Sequence, residues 1–252
     1  MTSQSTLASR DDLLSARGWT LDIGPNNNVE SDRDVMSRVA QEKSGLFVRI
    51  YQPNYIVAFS SRDRSRVGFD RAIEVAISQG FMPVMRAPGG QAVAYHPESL
   101  CLELFSSAQN PHAEIERRFQ LIAELMQRTL SRFGVNLEIG ETPDEYCPGR
   151  YSLNFMGKGK VVGTAQRINS GAWMFGAGII CSNPAPLREV LRAVYAELDL
   201  AFLPETILAT GDISPLATVE NLKDALVAEL DLLFGIHKTK NQNYFSSGNE
   251  IR

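Results

Sequence analysis

The apolar positions of this chain change period several times, and each change marks an element. "SDRDVMSRVAQEKSG" opens with Ser31 and, three residues on, Asp34, a capping-box-like start. With Val35 and Val39 on one side and Gly45 closing the stretch, a short helix is predicted. "LFVRIYQ" and "YIVAFS" are β-branched and aromatic runs separated by Pro53-Asn54, which predicts two strands joined by a tight turn. "FDRAIEVAISQG" returns to helical spacing at Ala72, Val75, Ala76 and Gln79, with Gly80 as the stop. Strands are then predicted over "FMPVMRA", "QAVAYH" and "SLCLELF", the first two parted by Pro88-Gly89-Gly90.

The longest helical stripe is Ile115, Phe119, Ile122, Met126, Leu130 and Phe133, predicted to start at an Asn110-Pro111 cap and to stop at Gly134. Packing alone accounts for that stripe, and it is assigned no chemistry. "YSLNFM", "KVVGTAQRI" and "AWMFGAGIIC" predict an antiparallel meander with turns at 157–159 and 169–171. Helices are expected near 185–198 and 218–234, the second capped by Thr218. Strand-turn-strand units require antiparallel pairing, so the expected class is α+β, a mostly antiparallel mixed sheet flanked by helices, rather than a doubly wound parallel sheet. Residues 1–30 are expected to be an N-terminal extension, 31–235 the folded domain, and 236–252 a polar C-terminal tail.

With 44% hydrophobic and 21% charged residues in 252, the composition supplies a sizeable core and excludes a chain disordered throughout. A net charge of -4 offers no general attraction to nucleic acid or an anionic membrane. No apolar run approaches spanning length and the first residues lack a secretory h-region, so a cytoplasmic protein is expected. Cys101, Cys147 and Cys181 are far apart and the three histidines lie at no ligand spacing, so neither a disulfide framework nor a metal is expected.

Two stretches carry candidate chemistry. In "VMRAPGGQAVAYH", Arg86 stands at a strand end before two glycines, whose missing Cβ atoms let backbone N–H groups approach a carboxylate, carbonyl or phosphate. An ordinary Pro-Gly-Gly turn reads the same way. His96 is a base, a substrate contact or simply a strand-end residue. In "YCPGRYSLNFMGKGK", Cys147 lies in a Pro-Gly turn, where exposure favours reactivity, although such a turn also tolerates an inert thiol. Lys160, thirteen residues on, is a cation that would favour the thiolate if the chain folds it back. Cys101 and Cys181 sit in apolar runs and read as core.

Together, "VMRAPGGQAVAYH" and the lysine-led small-residue strand "KVVGTAQR" resemble the paired signatures of the biotin/lipoate protein ligase and acyltransferase family, over about residues 30 to 235. "YCPGRY" resembles its cysteine-dependent branch, the octanoyl amidotransferases. The resemblance implies Cys147 as acyl acceptor through a thioester and Lys160 as its catalytic partner. It implies substrate contacts at Arg86, Gly89, Gly90, Gln91, Ala92, Val93 and His96, and at Gly163 and Thr164. The implied partners are lipoyl domains of 2-oxoacid dehydrogenase E2 subunits and, as a possible donor, the glycine cleavage H protein. No cofactor is implied for transfer. The alternatives are a lipoate-protein ligase using ATP and Mg through an acyl-adenylate, and a non-catalytic lipoate- or acyl-binding protein. Arg86-Ala87 and Arg150-Tyr151-Ser152 depart from the paired-arginine and Arg-Asn-Asp patterns of many ATP-using members.

Overall fold

The computed structural model describes residues 19–22, 31–43, 45–235 and 237–239. In chain order the elements are β1 (Trp19–Asp22), α1 (Asp32–Glu42), β2 (Leu46–Tyr51), β3 (Ile56–Phe59), α2 (Ser61–Arg64), α3 (Phe69–Ser78), β4 (Met82–Met85), β5 (Val93–Tyr95) and β6 (Ser99–Ser107). There follow α4 (Ile115–Ser131), β7 (Glu138–Ile139), β8 (Leu153–Asn154), β9 (Lys160–Ile168), β10 (Ala172–Ile180), α5 (Ala185–Glu197), α6 (Thr210–Ile213), α7 (Val219–Phe234) and β11 (Lys238–Thr239). The strands form an eight-stranded sheet, ordered β11-β1-β2-β6-β10-β9-β8-β7, and a three-stranded sheet, ordered β4-β3-β5. Pairing from β2 to β7 is antiparallel, as the meander predicts, so the α+β class holds. β1 pairs in parallel with β2 and β11.

Two sequence expectations are corrected. The β2 and β3 strands are not a hairpin: β2 pairs with β6 in the large sheet, while β3 pairs with β4 and β5 in the small one. Pro53-Asn54 lacks the paired positive φ angles that tight hairpin turns need, and the connection carries the chain from one sheet to the other. The long helix starts at Ile115 rather than at Asn110-Pro111, because Glu114 is left-handed (φ 62°). The intervening turn is held by the Arg118 guanidinium, which donates to the carbonyls of Pro111 and Ala113. Short helices α2 and α6 lack the apolar stripe that would have shown them in the sequence. The large sheet includes β1 and β11 at one edge, and Leu21 is buried in the core. The rest of the expected extension (1–18, 23–30) and tail (236, 240–252) lies outside the described residues.

Alternation along the strands sets the two faces of the large sheet. Leu46, Val48 and Ile50 of β2, with Leu100, Leu102 and Leu104 of β6 and Trp173, Phe175 and Ile179 of β10, form the main core with α4 and α7. On the opposite face, paired residues form rows across the strands. The row Phe47–Phe105–Met174 lies under Val35, Met36 and Val39 of α1. The next two rows are Arg49–Glu103–Gly176–Ala165 and Tyr51–Cys101–Gly178–Gly163. They face a cavity whose roof is the small sheet, through the rows Met82–Ile56–Tyr95 and Val84–Ala58–Val93. The other side of the small sheet packs Val57 and Phe59 against α3 and α5. At Gly178 a Cβ would stand 2.5 Å from the Tyr95 ring, so glycine there lets roof meet floor.

Candidate active site

The cavity between the sheets measures about 620 Å³, and Cys147, Arg86 and Lys160 all line it. Cys147 is partly buried and left-handed (φ 43°), a conformation that costs a non-glycine residue and needs outside support. Its N–H donates to the Tyr195 hydroxyl at 2.9 Å, and that hydroxyl donates in turn to the Ala92 carbonyl at 3.0 Å. Burial pushes the Tyr195 phenol well above its ordinary range, so it stays a neutral donor. The Cys147 sulfur accepts from the Gln91 N–H at 3.2 Å and from Arg86 Nη2 at 3.5 Å. The same guanidinium nitrogen holds the Gln91 carbonyl at 2.7 Å, and Arg86 Nε is buried with no acceptor. Gly90 (φ +105°) closes this contact: a Cβ there would stand 2.7 Å from Arg86 Nη2 and 2.8 Å from Cys147 Sγ. Ser60, which caps α2, donates to the Gly90 carbonyl at 2.6 Å and ties the glycine loop to the small sheet.

Lys160 does fold back to the cysteine, but to its backbone. Its Nζ donates to the carbonyls of Tyr146 (2.8 Å) and Cys147 (2.7 Å) and pairs with Glu145 Oε1 (2.8 Å). Three partners match the three protons of an ammonium group. Both side chains are essentially fully buried, a setting in which an unpaired charge is heavily penalised. Glu145 is completed by the Thr142 N–H and hydroxyl and by the Ser152 hydroxyl. Lys160 thus clamps the turn that carries the thiol, while the cation at the sulfur itself is Arg86.

Of the other expected contacts, Val93, Gly163 and Thr164 line the cavity, and Thr164 also donates to the Tyr151 carbonyl. Ala92 acts through its backbone and Gln91 through its backbone and its Oε1, which accepts from the Tyr195 hydroxyl at 3.3 Å. A Cβ on Gly89 would meet nothing within 4 Å, so close approach does not explain that glycine. His96 is not brought to the site: its buried ring bonds the Asn183 carbonyl through Nε2 (2.8 Å) and accepts the Glu98 N–H at Nδ1 (3.1 Å). These bonds anchor the end of β5, and His96 is not among the residues lining the cavity.

Sequence reading missed Tyr195, which continues the apolar stripe of α5, and Glu145, an acid in a turn that would ordinarily be read as exposed. It also missed the charged part of the floor. Arg49 pairs with Asp32 and Glu103, and Tyr51 donates to Glu103 Oε1 at 2.9 Å. Burial pushes the Glu103 carboxyl up to about 7 against the pull of Arg49. Cys101 and Cys181 are buried as expected, and burial drives the Cys181 thiol up to about 12. Among the described residues no three His, Cys, Asp or Glu side chains gather as a metal site requires, and no helix is long and apolar enough to cross a membrane.

The profile described as the lipoyl protein ligase A/B catalytic domain matches residues 25–230. An octanoyl-[GcvH]:protein N-octanoyltransferase of Geobacillus kaustophilus is 29% identical over 136 residues, 54% of this chain and 48% of that protein. One from an Exiguobacterium species is 26% identical over 194 residues, 77% and 67%. A lipoyl-[GcvH]:protein N-lipoyltransferase of Listeria monocytogenes is 30% identical over 111 residues, 44% and 40%. The chain thus spans about half the length of several of these curated relatives. Among solved structures, a lipoate-protein ligase A bound with ATP superposes with TM-score 0.63 at 18% identity, over 90% of each chain. A putative lipoate protein ligase from T. acidophilum, with bound lipoic acid, gives 0.62 at 17% over 90% of this chain. At these identities the likeness is one of fold.

Proposed function

For a chain that belongs to the lipoyl protein ligase A/B catalytic domain family, we propose transfer of an octanoyl or lipoyl group between carrier proteins through a thioester on Cys147. The observation that carries this reading is the sulfur itself, which lines the cavity and accepts from the Gln91 N–H and the Arg86 guanidinium. The nucleophilic form of cysteine is the thiolate. It attacks the carbonyl carbon of an acyl group bound as an amide to a lysine of the donor carrier. Arg86, whose Nε has no acceptor, and the N–H groups of the glycine loop are the candidate donors to the oxyanion. The carbon–nitrogen bond then breaks, the departing lysine nitrogen takes a proton, and the acyl group stays on sulfur. The neutral amine of an acceptor lysine attacks the thioester, gives up a proton to solvent as the amide forms, and releases the thiolate. Ile56, Val84, Val93 and Met174 offer apolar walls, and each buried methylene contributes about 0.8 kcal/mol.

The cycle conserves the acyl bond energy and calls for no ATP. The donor in this reading is the glycine cleavage H protein, the acceptor a lipoyl domain of an E2 subunit, and the setting cytoplasmic. Intact mass spectrometry after incubation with octanoylated H protein, without ATP, tests it. One hydroxylamine-labile octanoyl group is expected on the wild-type chain and none on Cys147→Ala. Undiminished transfer by Cys147→Ala would sink the thioester. Dependence on free octanoate with ATP and magnesium, with pyrophosphate released, would instead make this chain a ligase.

A further inference from the structure

The rim of the cavity has its own chemistry. Arg38, Arg49, Arg71, Arg117, Arg128, Arg132 and Arg150 pair with carboxylates. Arg33 on α1 and Arg64 on α2 are exposed and line the cavity, and their side chains have no hydrogen bond or ion pair among the described residues. The carboxylates lining the same cavity, Asp32 and Glu103, are both held by Arg49. Counting Arg33, Arg49, Arg64, Arg86 and Lys160 against Asp32 and Glu103, the cavity lining carries an excess of positive side chains, on a chain whose net charge is -4. Met82 and Met85, at 55% and 48% exposure, stand on the edge strand of the small sheet. They line the same cavity. Methionine and arginine are enriched where protein surfaces meet, and lone surface charges steer partners of opposite sign.

We propose that Arg33, Arg64, Met82 and Met85 form a docking collar for the acyl carrier domain, one whose modified lysine is flanked by carboxylates. This inference rests on the acyl-transfer reading. A carrier seated on the collar delivers its lysine arm between the two sheets, and the acidic flank meets the two free guanidinium groups. The methionines supply an apolar contact that adapts to more than one carrier, as flexible thioether side chains do.

The test separates docking from chemistry. Binding of octanoylated H protein to the catalytically silent Cys147→Ala chain is measured by titration, at low and at moderate salt. Adding Arg33→Glu and Arg64→Glu is expected to weaken binding on the order of tenfold and to flatten its salt dependence. Arg192→Glu, an exposed and unpaired arginine on α5 away from the cavity, is expected to change neither. In the active chain, the Arg33→Glu/Arg64→Glu pair should raise KM for the carrier while loading of Cys147 from the octanoyl thioester of N-acetylcysteamine changes less than twofold. Neutralising the acidic residues that flank the carrier lysine should weaken binding to the wild-type collar by a similar factor. Unchanged binding in the reversed-charge variant overturns the collar, and so does an equal loss with the small thioester. If wild type loads from neither donor, the transfer reading fails, and the titration still decides the collar.

Discussion

Cys147 owes its position to groups far away in the chain. Its N–H is held by Tyr195, its carbonyl by Lys160, and its sulfur by the loop of Arg86 and Gln91. The left-handed backbone at Cys147 persists because these contacts outweigh its strain. Tyr195→Phe keeps the ring and removes only the hydroxyl, leaving the Cys147 N–H without an acceptor, at about 1–3 kcal/mol. The expected outcome is a loading rate about tenfold lower, with KM for the carrier unchanged and alkylation of Cys147 by iodoacetamide altered in parallel. A lower melting temperature with unaltered loading and alkylation would leave Tyr195 a packing residue. From sequence, Cys147 and Lys160 were legible as a pair because both interrupt their surroundings with reactive side chains at turns. Tyr195 was not, since a phenol on an apolar helical stripe looks like core until its hydroxyl finds a partner 48 residues away in sequence.

At the scale of elements, the strongly periodic segments folded as their patterns indicate. Ser31 caps α1, Thr218 caps α7, and Gly80 and Gly134 end α3 and α4 with positive φ. The failures fall on short segments. β1 is four residues long and has no second-period neighbour to mark it, yet it shields the edge of β2 that would otherwise lie open. Leu21→Ala should therefore behave as a core truncation, lowering unfolding free energy by about 2–4 kcal/mol in a denaturant titration. A change within a few tenths of a kcal/mol would mean that β1 is not integral to the sheet.

Across the whole molecule, two sheets enclose a cavity whose floor changes character along its rows, from glycine and alanine on β9 and β10 to charge on β2 and β6. The carboxyl of Glu103 faces Arg49 and Tyr51 of β2, Asp32 of α1 and Cys101 of its own strand. Burial raises its folded-state value from 4.5 to about 7, so the folded chain holds the proton more tightly than the unfolded one. Its contribution to stability is then fullest below about 4.5 and is lost as pH rises through about 7. Chemical denaturation of wild type and Glu103→Gln across this range should show the difference between them shifting against wild type as pH rises. A constant difference would mean that Glu103 titrates alike in both states.

The sequence by itself determined the types of the long elements, the α+β class and the inventory of reactive groups. These depend on periodicity, caps and turn chemistry, which a chain expresses locally. Tertiary structure decided that β2 and β3 part into different sheets, that Arg49 and Glu103 meet across 54 residues, and that His96 turns away from the site. It also decided that Lys160 clamps the turn while Arg86 meets the sulfur. The physical reason is common to all four. Strand register and sheet assignment are settled by which buried faces and polar groups satisfy one another across long separations, and no local pattern encodes those pairings.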